Sequence, residues 1–428
     1  MRKMLSIVLA MVLLASGVPL AITPAAAYET KIPFAGEDNE LTKDELVNAI
    51  LPYMLGEGDL KLDDVGDASY VYAYWNGKPK TITDTENRKV AFCRPIERLI
   101  TRAPDDCRLV IAVGAGDKVV ASEQAAKSCL CPTTFETFGE GCKSCYYTIL
   151  DGRMPDLPET STRYDINYEL MASLHPDMIF TTDNAEDFES KVGVPTVVVG
   201  YGSTDFKYDG GLYEQIELIG EVLEREDEAD ELIDFIESKI DKVKSVTDAI
   251  DESEWPTVYF APRGCSKGFY DPKEGRDFTR TVSFYEPLNI AGGMNVAKDE
   301  PAGNLNVGIE QIIAWSPEYI FVACSSPDTV DAIDMIRNAK DLQSIRAIQN
   351  DTVYNCFYPN CRGSPPDRSL FNMMYMAKVL HPDDERLKNL DLEKEGNEIF
   401  EAFLGVDGVF TEYADYLIWP REYLEAQQ

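Results

Sequence analysis

An internal repeat constrains this chain more than any other feature. Residues 167–180 read Asn-Tyr-Glu-Leu-Met-Ala-Ser-Leu-His-Pro-Asp-Met-Ile-Phe, and residues 307–321 read Val-Gly-Ile-Glu-Gln-Ile-Ile-Ala-Trp-Ser-Pro-Glu-Tyr-Ile-Phe. Glu169 stands seven residues before Pro176 and ten before Ile179-Phe180, and Glu310 stands at the same distances from Pro317 and Ile320-Phe321. Each copy reads as a short helix, stopped because proline disfavours helical geometry in the residue before it, feeding an apolar strand. Matching units in the two halves predict two similar lobes. A carboxylate in a helix's first turn suits the positive end of the dipole, so capping is its simplest role. An exposed acid on each lobe is also suited to docking a partner.

The sequence around the repeat alternates strand and helix, which predicts α/β lobes with largely parallel sheets. In the first half, Thr81–Asp84 and Lys89–Phe92 read as a hairpin, and 97–101, 118–121, 178–181 and 196–199 as strands. In the second half, Thr257–Ala261, Tyr319–Ala323 and Val353–Phe357 read as strands, with helices at Ser283–Ala291 and Leu370–Leu380. Between the halves, Ile216, Ile219, Leu223, Leu232, Phe235, Ile236, Ile240 and Val243 recur at helical spacing, which predicts one long spine helix within 211–250. The first lobe is thus placed at 81–210, and the second lobe with a helical tail at 251–428.

Residues 28–80 form a separate acidic module that is mainly helical. Leu46, Ile50 and Leu51 mark a helix over 41–56, and Thr42 with Glu45 offers a capping box. A second helix spans about 62–75. Asp59, Asp63, Asp64 and Asp67 do not have the calcium-loop spacing, so a solvated helix pair is the preferred reading.

Residues 1–27 carry Arg2 and Lys3, an apolar run from Leu5 to Ile22, and Ala25-Ala26-Ala27, the layout of a cleaved secretory signal. The alternative is a retained membrane anchor. Either places the rest of the chain outside the cytoplasm, where disulfides are the default for cysteine. The ten cysteines are Cys93, Cys107, Cys129, Cys131, Cys142, Cys145, Cys265, Cys324, Cys356 and Cys361. Cys129, Cys131, Cys142 and Cys145 also have ribbon-like metal spacing, so metal binding stays open beside disulfides.

With 75 acidic against 40 basic residues, the net charge of −35 excludes nucleic acid as a partner and electrostatic binding to anionic membranes. The 44% apolar content excludes an acidic disordered chain. Gly114-Ala-Gly116 lacks the third glycine of a dinucleotide fingerprint and reads as a helix-ending turn. The two histidines, His175 and His381, both stand in Leu-His-Pro-Asp at helix ends, where a cation suits the dipole, so a His-based triad or metal site is not expected. Asn350-Asp-Thr352 is a glycosylation sequon.

From Thr81 to Val409 the chain resembles the substrate-binding proteins of ABC importers for iron–siderophore, haem or cobalamin-type ligands, the group with one helical spine. The stretches that carry the likeness are 83–100, Gly114–Val120, Glu169 with Pro176-Asp177, Ala291–Val296, Glu310–Pro317, Asn350–Tyr354 and Met376–Pro382. The resemblance implies two Rossmann-like lobes about a spine, a ligand cleft between them, no enzymatic activity and no intrinsic cofactor. It implies a monomer that delivers its ligand to a transmembrane permease with its ATPase. One Glu per lobe docks on that permease, and Glu169 and Glu310 occupy those motif positions. The N-terminal module and a cysteine-rich insertion at 128–154 depart from the pattern.

Sites in α/β lobes lie on the loops after strand ends. This rule selects Arg263, Tyr270, Arg276, Tyr358 and Arg362 in the second lobe, and Arg102 and Glu123 in the first. Arginine forks onto anionic oxygen and tyrosine stacks or donates, which suits a metal chelate. The rival functions are a cell-surface metal-storage or redox protein using the cysteine cluster, and a secreted hydrolase, for which no nucleophile–base pair stands out.

Overall fold

The computed structural model describes residues 31–411 except 58–59, 128–155, 163–164, 204, 209, 263–277, 325–328, 358, 360–363, 406 and 409. The signal segment, the four-cysteine cluster, and Arg263, Tyr270, Arg276, Tyr358 and Arg362 all lie outside the described residues.

The N-terminal module contains α1 (Lys43–Met54) and α2 (Leu62–Tyr74). The capping box forms: Glu45 N–H donates to the Thr42 hydroxyl, and Thr42 N–H donates to the Glu45 carboxylate at 2.8 Å. β1 (Lys80–Thr83) and β2 (Lys89–Phe92) make the expected antiparallel hairpin.

The first lobe follows with β3 (Leu99–Thr101), α3 (Pro104–Ala112), β4 (Val119–Glu123), β5 (Glu159–Ser161), α4 (Tyr168–Ser173), β6 (Met178–Thr181), α5 (Ala185–Val192), β7 (Thr196–Val198) and α6 (Leu212–Leu223). Among the described residues its sheet is parallel, in the order β5-β4-β3-β6-β7. Ile100 is in register with Ile179, and every residue of β6 is buried, as expected of a parallel strand covered on both faces.

α7 (Glu226–Thr247) is the spine. The second lobe has β8 (Thr257–Ala261), β9 (Arg280–Val282), α8 (Glu286–Ile290), β10 (Met294–Asn295), β11 (Asn304–Asn306), α9 (Ile309–Trp315), β12 (Tyr319–Cys324), α10 (Thr329–Asn338), β13 (Val353–Phe357), α11 (Pro366–Leu380) and α12 (Leu392–Leu404). Its main sheet is again parallel, in the order β10-β8-β12-β13, while β9 and β11 pair separately.

The single helix expected over 211–250 is two helices. Glu224 adopts a left-handed conformation (φ 57°, ψ 49°) and separates α6 from α7. Gly220 permits the break, since a Cβ there would stand 2.6 Å from the Ala229 Cβ.

One hydrophobic core runs through both lobes. It joins Leu109 and Val110 of α3, Ile216 of α6, Ile236 and Val243 of α7, Phe260 of β8, Phe371 and Met374 of α11, and Phe400 and Phe403 of α12. Lys239 of the spine, almost fully buried, donates to Glu395 of α12 at 2.7 Å and also meets Glu398. A shared core resists separation because opening would return apolar area to water at about 25 cal/mol per Å².

Candidate functional site

The parallel sheets end toward one another. Asp105, in the first turn of α3 just beyond β3, accepts a 2.9 Å hydrogen bond from the Ser364 amide in the connection from β13 to α11. The Gly202 amide, beyond β7, donates to the same carboxylate. Gly202 is needed there, because a Cβ would fall 2.4 Å from the carboxyl carbon of Asp105. Arg108 of α3 and Asp367 of α11, both buried, form an ion pair at 3.7 Å across the joint. Burial pushes the Asp105 carboxyl above its usual range, with Arg108 opposing the rise. Burial pushes Asp106 well above that range, and neighbouring Asp105 adds to it. Neither Asp106 oxygen has a side-chain hydrogen-bond partner among the described residues.

On the first-lobe side of this joint, consecutive strand exits carry polar groups. Arg102 follows β3, and its backbone N–H is tied to the Phe180 carbonyl at 2.9 Å. Its Nε is buried and has no hydrogen-bond partner among the described residues. Glu123 is the last residue of β4 and is buried. Ser161 ends β5 with a buried hydroxyl. Asp183 follows β6, and Tyr201, past Gly200 at the exit of β7, donates its hydroxyl to Asp183 at 2.9 Å. The Tyr201 ring is 71% exposed, and Arg102 is close enough to act electrostatically on its hydroxyl. The edge can therefore offer a guanidinium to anionic oxygen and an open aromatic face to a ligand.

Of the residues expected to meet ligand, Arg102 and Glu123 lie on this edge, and the other five lie outside the described residues. Tyr201 was not anticipated. The strand-exit rule applied to Val199-Gly200-Tyr201 would have found it, since Gly200 (φ 86°) ends the strand.

Glu169 and Glu310 occupy matching places, each in the first turn of a short helix (α4 and α9) that precedes a buried strand (β6 and β12). Both are exposed. The capping role that could have occupied Glu169 is filled by Asn167, which accepts from the Leu170 amide at 2.9 Å. Among the described residues neither Glu forms an ion pair.

Cys107 and Cys356 are buried free thiols, so the expected disulfides are not formed at these two positions, and the buried Cys93 sulfur accepts from the Asn39 side-chain amide at 3.6 Å. Burial raises Cys107 to about 11 and Cys356 well above its ordinary value, which keeps both protonated and unsuited to redox or metal chemistry. Among the described residues no group of three or more His, Cys, Asp or Glu is placed to hold a metal. His381 differs from the cation expected at a helix end. Its backbone N–H caps α11 by donating to the Ala377 carbonyl, its Nε2 lies 3.0 Å from the Ala291 carbonyl outside that helix, and burial lowers its pKa. Asn350 of the sequon is exposed.

Two α/β lobes on a spine, joined where their strands end, define the class of two-lobed binding proteins. The family described as periplasmic binding protein matches residues 101–357, and the chain belongs to it. It is a substrate-binding protein of the ABC-importer type, and this membership does not favour the storage or redox alternative. Over 347 residues the chain is 24% identical to the molybdate-binding protein MolA of Haemophilus influenzae, covering 76% of this chain and 90% of that protein. It is 22% identical to the ABC transporter substrate-binding lipoprotein YvrC of Bacillus subtilis, covering 71% and 86%. Among solved structures, MolA bound to molybdate superposes with a TM-score of 0.57 at 21% identity, covering 77% of this chain and 98% of that one. A nickel–histidine complex of Helicobacter pylori CeuE superposes with a TM-score of 0.53 at 17% identity, covering 80% and 100%. The N-terminal module lies outside the family match. Among the described residues no helix is long and apolar enough to cross a membrane.

Proposed function

We propose that this chain is an extracytoplasmic receptor that captures an anionic metal chelate between its lobes and presents it to an importer permease through Glu169 and Glu310. The observation that carries the ligand class is Arg102 at the exit of β3, whose buried Nε has no hydrogen-bond partner among the described residues and whose charge acts on the hydroxyl of the exposed Tyr201. On a chain of net charge −35, an anionic ligand needs such a local cation to offset the surrounding field. Two fold relatives are complexes of metal species, molybdate in one and nickel–histidine in the other, which supports a metal-bearing ligand. Asp183 and Glu123 on the same edge favour a chelate that also carries hydrogen-bond donors over a bare oxyanion.

The test is a thermal-shift panel of ferric catecholate and hydroxamate siderophores, haem, cobalamin and molybdate. A ligand at 100 times its dissociation constant adds about 2.7 kcal/mol to apparent stability. One chelate is expected to raise the melting temperature, and Arg102→Ala is expected to weaken its binding at least about tenfold, the loss of one charge-assisted contact. A response to molybdate alone would replace the chelate by an oxyanion. No response to any metal species would overturn the ligand class.

A further inference from the structure

The N-terminal module reaches the one place where the spine begins. Trp75, just past α2, donates its indole N–H to Glu224 Oε1 at 2.6 Å, and the Tyr70 hydroxyl donates to Oε2 of the same carboxylate. Both oxygens of Glu224 are thereby engaged by one helix end, with the two rings edge-to-face at 5.8 Å. Lys80, at the start of β1, adds a cation 3.9 Å from Glu224 and 3.6 Å from Glu226, and donates to the Glu221 carbonyl near the end of α6. The contact lies at the sheet edge opposite the cleft, since Arg94, beyond the hairpin, pairs with Asp67 of α2 at 3.4 Å and lies 4.0 Å from Asp177, just ahead of β6.

Glu224 is also the left-handed residue that turns the chain from α6 into α7. Glycine is the usual occupant of such a helix-ending position, because a side chain strains it. Glutamate tolerated at φ 57° implies that its side chain does something there. Its carboxylate binds the module.

We propose that Glu224 is a positioning residue. Gripped by Tyr70 and Trp75, it sets the angle between the last helix of the first lobe and the spine, and through that angle the fit of the two lobes at the cleft. The module is then a brace on the hinge, acting on the binding site from the opposite edge of the sheet. This claim is independent of which ligand the cleft takes.

Glu224→Gly separates the two functions of the residue, since glycine suits the left-handed turn but cannot hold the module. The readout is native-state hydrogen exchange of the full chain at two amides that bridge the lobes, Phe206 held by Glu286 and Ser364 held by Asp105. If the brace sets the lobe fit, both exchange at least about tenfold faster in Glu224→Gly, as eased local opening would give. Amides at the sheet centres, such as those of Phe180 and Phe321, keep their wild-type rates. Trp75→Phe, which removes one donor and keeps an aromatic ring, gives a smaller change of the same pattern. Faster exchange confined to residues 70–75 and 220–226, or no change, overturns the proposal. A uniform rise that includes the sheet centres marks a merely structural role and overturns it as well.

Discussion

Among the helices that open with an acid in the first turn, four form two contrasting pairs. In α3 and α11, Asp105, Asp106 and Asp367 are buried in the joint between the lobes. In α4 and α9, Glu169 and Glu310 stand in solvent. The local cue is the same, since an acid at a helix start is favoured by the dipole in every case. The packing of the whole helix differs. α3 is buried from Pro104 to Val110 and α11 along its full length, whereas α4 and α9 each bury one side chain, Met171 and Ile312. An acid in the first setting must be neutralised or paired, and in the second it is free for a partner.

The strongest way to break the contrast is to remove one side of the buried pair. Asp367→Ala removes the second-lobe partner of the buried Arg108 and is expected to cost about 3–5 kcal/mol in chemical denaturation, as for other buried pairs broken on one side. A loss below about 1 kcal/mol, the value of an exposed pair, would place the joint with the surface acids.

Asp106 sharpens the contrast through pH. Its folded pKa is raised by burial above the ordinary 3.8. Stability from this group is therefore complete below pH 3.8 and declines as pH rises toward the raised value, because the unfolded chain releases its proton first. Asp106→Asn removes that decline and is expected to stabilise the protein at pH 7, with the gain vanishing near pH 4. Equal effects at both pH values would disprove the assignment.

His381 gives a smaller step of the opposite sign. Its folded pKa is lowered from 6.5, so its contribution is complete above that value and lost as pH falls below it. His381→Gln keeps a donor for the Ala291 carbonyl and is expected to flatten thermal stability between pH 7 and 5. A variant as pH-sensitive as wild type would show that another group carries the step.

The exposed pair is expected to give the smallest stability change. Glu169→Ala with Glu310→Ala should alter unfolding free energy by no more than about 0.5 kcal/mol. Ligand affinity should be unchanged, while stimulation of the reconstituted importer's ATPase is lost. Normal stimulation would remove the docking role and leave both residues as solvated surface.

Much of the scaffold was readable from periodicity. The capping box, the β1–β2 hairpin, the strands β6, β8, β12 and β13, and the two-lobe plan follow from local patterns whose partners lie nearby or recur in the other half. The division of the spine did not follow, because Leu223-Glu-Arg-Glu holds only helix formers, while the turn is accompanied by the close approach at Gly220 and by the contacts of Glu224 with the distant Tyr70 and Trp75. The site was legible to the level of strand exits, which selected Arg102 and Glu123. The pairing of Tyr201 with Asp183 joins two exits 18 residues apart, and no local pattern encodes it.

The sequence alone determined the hairpin and the strands β6, β8, β12 and β13, that two similar halves share one plan, and that two acids recur in equivalent places. These are short-range properties, written in spacing and turn chemistry. Tertiary structure decided which acids are buried and which are free, where the spine bends, and that His381 is shielded from charge. The physical reason is that ionisation and backbone strain depend on what packs against a residue from distant parts of the chain, and that is settled only when the two lobes share their core.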